Sequence, residues 1–204
     1  MNRQYYQEVV TQKSWEELVE LKKQFEFILI GGWAVFLFTK SLKSKDIDII
    51  VDYSQLNLFR KHYEMFKNER LKKYEIKKEG IDIDIYLPHF SDLGLPVEEL
   101  IKYKTKIETF TVLEKEVLLI VKQKAYISRK ASIKGQKDLI DIMALILLKD
   151  FDFKFHKELV VKYKLEYHIK ILEEMINEIT EVKELNLNRH QIASEKKRIL
   201  KNFK

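Results

Sequence analysis

Residues 28–52, ILIGGWAVFLFTKSLKSKDIDIIVD, decide the reading of this chain. An apolar run over residues 25–30 ends at a glycine pair, Gly31 and Gly32, and a second apolar run over residues 33–39 follows at once. Residues 45–52 then alternate, with Asp46, Asp48 and Ile50 set against Ile47, Ile49 and Val51, the period of a strand with two unlike faces. Residues 33–39 are short enough for either helix or strand by periodicity. A buried helix is expected there, because strand, glycine turn and helix would bring helix N–H groups to the turn.

Upstream, residues 4–24 read as helix, with Ser14 and Glu17 as a capping box that restarts it before Leu18 and Leu21. Downstream, Ser54 is expected to cap a helix reaching residue 67, with Leu58, Phe59, His62 and Phe66 on a common side. Residues 71–77 and 81–87 read as strands joined at Glu79-Gly80, and residues 88–96, which hold both prolines, as a loop. Residues 106–113 suggest one more strand. Beyond them, residues 115–128, 135–148, 156–163 and 166–181 suit amphipathic helices, and residues 183–204 are polar and basic. The expected fold class is α+β: a mixed sheet with flanking helices over residues 1–113, then a C-terminal helical bundle over residues 114–204 packed on the cleft.

Composition narrows the chemistry. With 204 residues, 46% of them hydrophobic, the chain can bury one substantial core or two small ones. The sequence has no cysteine, which excludes disulfides, zinc thiolate sites and cysteine nucleophiles and fits a reducing compartment. No apolar run approaches the roughly 18 residues needed to span a bilayer, and the opening residues lack a signal-peptide core, so a cytoplasmic protein without membrane partners is expected. A net charge of +6 suits a polyanionic partner such as a triphosphate or RNA, although a Lys-rich solvated surface accounts for much of it. Phosphate-loop, dinucleotide, zinc-protease and nucleophile-elbow motifs do not occur.

The carboxylates carry the candidate chemistry. Asp46 and Asp48 leave the same face of a strand, and hard oxygen ligands of this kind favour Mg2+ or Mn2+, with water and substrate phosphate completing the shell. Without side chains, Gly31 and Gly32 let phosphate oxygens approach the backbone, and a helix starting there adds its positive end. Asp82 and Asp84 share one face of residues 81–87, where aspartate is out of place by strand propensity. Asp84, deeper in the run, is the expected third carboxylate, with Asp82 as the alternative. Each feature alone also suits a solvated strand end or an ordinary tight turn.

Taken in order, Ile30-Gly31-Gly32, an intervening helix, Asp46-Ile47-Asp48 and a later Asp84 resemble the signature of the nucleotidyltransferase superfamily, whose fold is that of DNA polymerase beta. That resemblance implies a polymerase-beta-like mixed sheet, metal at Asp46, Asp48 and Asp84, and nucleotide held by Gly31, Gly32 and the neighbouring Lys45. A second constellation, Lys124, Arg129, Lys137, Asp138 and Asp141, resembles the AbiEii-type toxin nucleotidyltransferases and related uncharacterised prokaryotic families, where such residues follow the catalytic domain and bind nucleotide. Lys122 is the alternative to Lys124. Ordinary ion pairs on a surface helix are the competing account of this segment.

The resemblance implies transfer of a nucleoside monophosphate from a nucleoside triphosphate, ATP among the candidates, to an acceptor hydroxyl on RNA or tRNA, a protein or a small molecule. A toxin-like role with a cognate antitoxin is part of that implication. Two other functions compete: a catalytically silent nucleotide- or partner-binding module of the same fold, and an RNA-binding protein that uses its basic C-terminus. His156, His168 and His190 are too scattered in sequence to suggest a metal site.

Overall fold

The structure is a computed structural model that describes residues 3–203, with side chains described from residue 8 onward. Met1 and Asn2 of the opening segment and Lys204 of the basic end lie outside the described residues. The chain divides into two compact units, Met1–Glu114 and Lys115–Lys204. The expected α+β class, with a mixed sheet followed by helices, is the observed one.

The first unit runs α1 (Arg3–Gln24), β1 (Ile28–Ile30), α2 (Gly31–Thr39), β2 (Ile47–Ile50), α3 (Tyr53–His62), β3 (Phe66–Asn68), β4 (Lys73–Lys78), β5 (Ile81–Tyr86), α4 (Val97–Leu100), β6 (Lys104–Ile107) and β7 (Phe110–Leu113). Its seven strands form one sheet in the order β3-β4-β5-β2-β1-β7-β6. The β2/β5 and β1/β7 pairs are parallel and the rest antiparallel. Period-two patterning sets the faces: Ile47, Ile49, Ile83 and Ile85 are fully buried, while Asp48 and Asp84 point to the opposite side.

Several expectations change here. Helix α1 runs without a break through Ser14, so there is no capping box. Ser14 is fully buried, and its hydroxyl accepts a 2.9 Å hydrogen bond from the Trp33 indole N–H, a donor that needs a partner once its ring is buried. The glycine pair is not a turn ahead of α2 but its first two residues. Asp52, not Ser54, caps α3: its carboxylate accepts from the Gln55 N–H at 2.8 Å and from the Ser54 hydroxyl at 2.6 Å. That helix stops at His62, and Phe66 lies exposed on edge strand β3, paired with Glu75. The Glu79-Gly80 turn forms as expected, both residues having positive φ (49° and 83°) as a two-residue hairpin demands. Residues 104–113 form a hairpin of two strands, turning at Glu108 with φ 54°.

The second unit contains α5 (Lys115–Arg129), α6 (Ile133–Ile146), α7 (Phe153–Lys162), α8 (Glu166–Glu178), a 3-10 turn (Lys183–Leu185) and α9 (Arg189–Phe203). Ser132 caps α6 by accepting from the Gly135 N–H at 3.0 Å. Gly135 is required by proximity, since a Cβ there would lie 2.2 Å from the Arg129 carbonyl oxygen, so α5 and α6 meet closely at this point. The basic terminal segment is helical, and its stripe of Ile192, Ile199 and Phe203 is buried. Among the described residues, no helix is long and apolar enough to cross a membrane.

Candidate functional site

The register of the sheet assembles the site in the first unit. Ile30, the last residue of β1, stands opposite Asp48 on β2; Asp48 stands opposite Asp84 on β5; Asp84 stands opposite Glu75 on β4. Directly paired residues project to one face, so Asp48, Asp84 and Glu75 form a row across three adjacent strands. Asp46 is in a bend just before β2 and is half-buried, while Lys45 is exposed. Asp82 pairs with Lys77, one step away from the row. Among the two candidates for a third carboxylate, Asp84 is therefore the one opposite Asp48.

Gly31 follows directly from the Ile30–Asp48 pair. Its φ of +67° turns the chain out of β1 into α2, and a Cβ on it would lie 2.1 Å from Asp48 Oδ2. Thus the glycine admits the aspartate of its own chain, a reason distinct from the expected one of admitting phosphate. Helix α2 begins here with no side-chain cap at Ile30, so the row of carboxylates adjoins a helix start. Gly32, also buried, is the second residue of that helix.

Lys73, at the start of β4, completes the row. Its ammonium lies 2.6 Å from Asp84 Oδ2 and 3.0 Å from Glu75 Oε1, and its side chain is 12% exposed. Asn68 donates a further 3.0 Å hydrogen bond to Glu75 Oε1. Burial pushes the Asp84 carboxyl up, the negative charge of Asp48 adds to this, and Lys73 pulls back, leaving it at about 6. For Lys73, burial works against the charge, but its bonds to Asp84 and then Glu75 outweigh this and raise its pKa overall. Sequence reading missed Lys73 and Glu75, because their alternation in KYEIKK is that of any solvated strand; only the pairing with β5 gives them a role.

Magnesium usually takes one or two protein carboxylates, and the repulsion between Asp48 and Asp84 is what a bound cation would relieve. The described residues contain no group of three or more His, Cys, Asp or Glu side chains placed to hold a metal. Asp84 is engaged by Lys73.

The second constellation is an ion network within α5 and α6. Asp138 and Asp141, three residues apart, are both buried. Lys122, also buried, lies 2.7 Å from Asp141 Oδ2 and 3.4 Å from Asp138 Oδ1, although the approach to Asp141 does not meet hydrogen-bonding geometry. Arg129 donates to Asp138 through Nε at 2.7 Å and an Nη at 3.0 Å. The lysine facing the aspartates is thus Lys122 rather than Lys124, which is exposed, and Lys137 is half-buried. Of the three scattered histidines, His156 and His168 are fully buried, each with an Nε2 lacking a partner among the described residues, whereas His190 is exposed.

No protein-family model and no curated protein matches the sequence. Solved structures similar to the chain include an antigenic nucleotidyltransferase-like protein from Paracoccidioides brasiliensis, at 16% identity and TM-score 0.39, covering 83% of this chain and 94% of that one. Another is JHP933 from Helicobacter pylori, at 15% identity and TM-score 0.47, covering all of this chain and 94% of that one.

Proposed function

We propose that the chain is a metal-dependent nucleotidyltransferase. The observation that carries this reading is the pairing of Asp48 with Asp84 across adjacent parallel strands, beside Gly31 and the start of α2. A nucleoside triphosphate is a ligand to which such a place is suited, since backbone N–H groups at a helix start bind phosphate oxygens. Mg2+ or Mn2+, held by Asp46 and Asp48, would supply neutralisation of phosphate charge. The acceptor oxygen forms a bond to the α-phosphorus, the bond from that phosphorus to the α,β-bridging oxygen breaks, and pyrophosphate leaves. The hydroxyl proton passes to Asp84, whose raised proton affinity, near 6, suits a base working close to neutrality.

RNA, tRNA included, is the first acceptor class to test, in line with the net charge of +6 and the toxin-like resemblance. The test is to incubate the protein and its Asp48→Asn variant with each labelled triphosphate, magnesium or manganese, and total RNA, then follow the label. Label on RNA or on protein that is lost in a folded Asp48→Asn variant is the expected outcome. Full transfer by Asp48→Asn sinks the assignment, and magnesium-independent nucleotide binding without turnover favours a silent binding module.

A further inference from the structure

We propose that Lys73 is a built-in cation that takes the place of a second metal ion at Asp84, so that the site works with a single divalent ion. This rests on the nucleotidyltransferase reading and concerns how many ions that site accepts. Lys73 and Glu75 are two residues apart on β4 and share a face, and β5 sets Asp84 directly across from Glu75. The lysine ammonium therefore sits between two carboxylates, 2.6 Å from Asp84 Oδ2 and 3.0 Å from Glu75 Oε1. A divalent ion on that oxygen would have to approach to about 2.1 Å, inside the space the ammonium holds and against its positive charge.

Two features fix Lys73 in this place. Its side chain is only 12% exposed, so it has little room to swing into solvent. Asn68, the register partner of Lys73 on β3, holds Glu75 by a 3.0 Å hydrogen bond, so the lysine's second anchor is itself restrained. Lys73 is on this account a positioning residue: it keeps Asp84 charged and oriented without touching the nucleotide.

The test counts ions directly. Crystals of the full chain grown with Mn2+ and inorganic tripolyphosphate, which needs no choice of base, are measured for anomalous scattering. One manganese peak beside Asp48 and none on Asp84 is expected in the wild type. In Lys73→Met a second peak is expected on Asp84, and it should vanish in Lys73→Met/Asp84→Asn. Asp84→Asn alone, which does not depend on the fate of the Lys73 variants, should keep its single peak. Two peaks in the wild type, a lost peak in Asp84→Asn, or a single peak in a folded Lys73→Met would overturn the proposal while leaving the nucleotidyltransferase reading in place. No peak at Asp48 in the wild type would overturn that reading, and this inference with it.

Discussion

Replacing Gly31 by alanine should unsettle the whole first unit, for two separable reasons. The residue has φ +67°, a conformation that costs an L-residue about 1–2 kcal/mol. The new Cβ would also lie 2.1 Å from Asp48 Oδ2, 2.6 Å from its Cγ and 2.8 Å from its Cβ, so the whole side chain is in the way and a rotamer change cannot clear it. Forcing extra volume into a packed site costs about 1–3 kcal/mol, for a total destabilisation of about 2–5 kcal/mol. Urea denaturation followed by tryptophan fluorescence reads this cleanly, since both tryptophans, Trp15 and Trp33, are in the first unit. In a double-mutant cycle, Asp48→Gly removes the three atoms nearest to the new methyl. Gly31→Ala/Asp48→Gly should therefore recover the packing part, about 1–3 kcal/mol, and keep the backbone part. A loss below about 1 kcal/mol in Gly31→Ala, or no coupling in the cycle, would refute the claim that the glycine exists to admit the aspartate.

Further outcomes follow from the charges. In Asp48→Asn the Asp84 carboxyl, held at about 6 by burial and by the Asp48 charge, should titrate closer to the ordinary carboxylate range, as read by carboxyl carbon NMR in metal-free buffer. Burial holds His156 and His168 down at about 4, so the unfolded chain binds more protons than the folded one between pH 6.5 and 4. The second unit should then lose stability as pH falls through that window, by at most about 2.7 kcal/mol per pH unit for two protons. Hydrogen exchange in α5, α7 and α8 measures this, and His156→Leu should flatten the slope. Lys122→Met should destabilise the second unit by about 3–5 kcal/mol, because buried Asp138 and Asp141 lose a counter-ion. Lys124→Met, on the surface, should stay within about 0.5 kcal/mol, and equal thermal shifts for the two would contradict the network.

The sequence by itself determined the local periods. Alternating Ile and Asp in IDIDIY can bury only one face of a strand, a run as apolar as GGWAVFLFT must be interior, and Glu79-Gly80 suits a tight hairpin. These are properties of neighbours along the chain, so they are legible in it. Where local signals competed, they misled: Ser14 and Ser54 look like caps, but a buried indole claims the first and Asp52 outdoes the second. The turn at Glu108 was hidden because no glycine, asparagine or proline marks its left-handed backbone.

Only the tertiary structure decided which polar groups meet. Asp84 rather than Asp82 faces Asp48 because the register of two parallel strands places it there, and nothing within either strand encodes that register. Lys73 sits on Asp84 through an antiparallel pairing, and Lys122 replaces Lys124 opposite the buried aspartates because helix rotation turns one inward and the other out. Charge pairing depends on distances of about 3 Å between residues far apart in the chain. Such distances exist only after the sheet and the helices have packed.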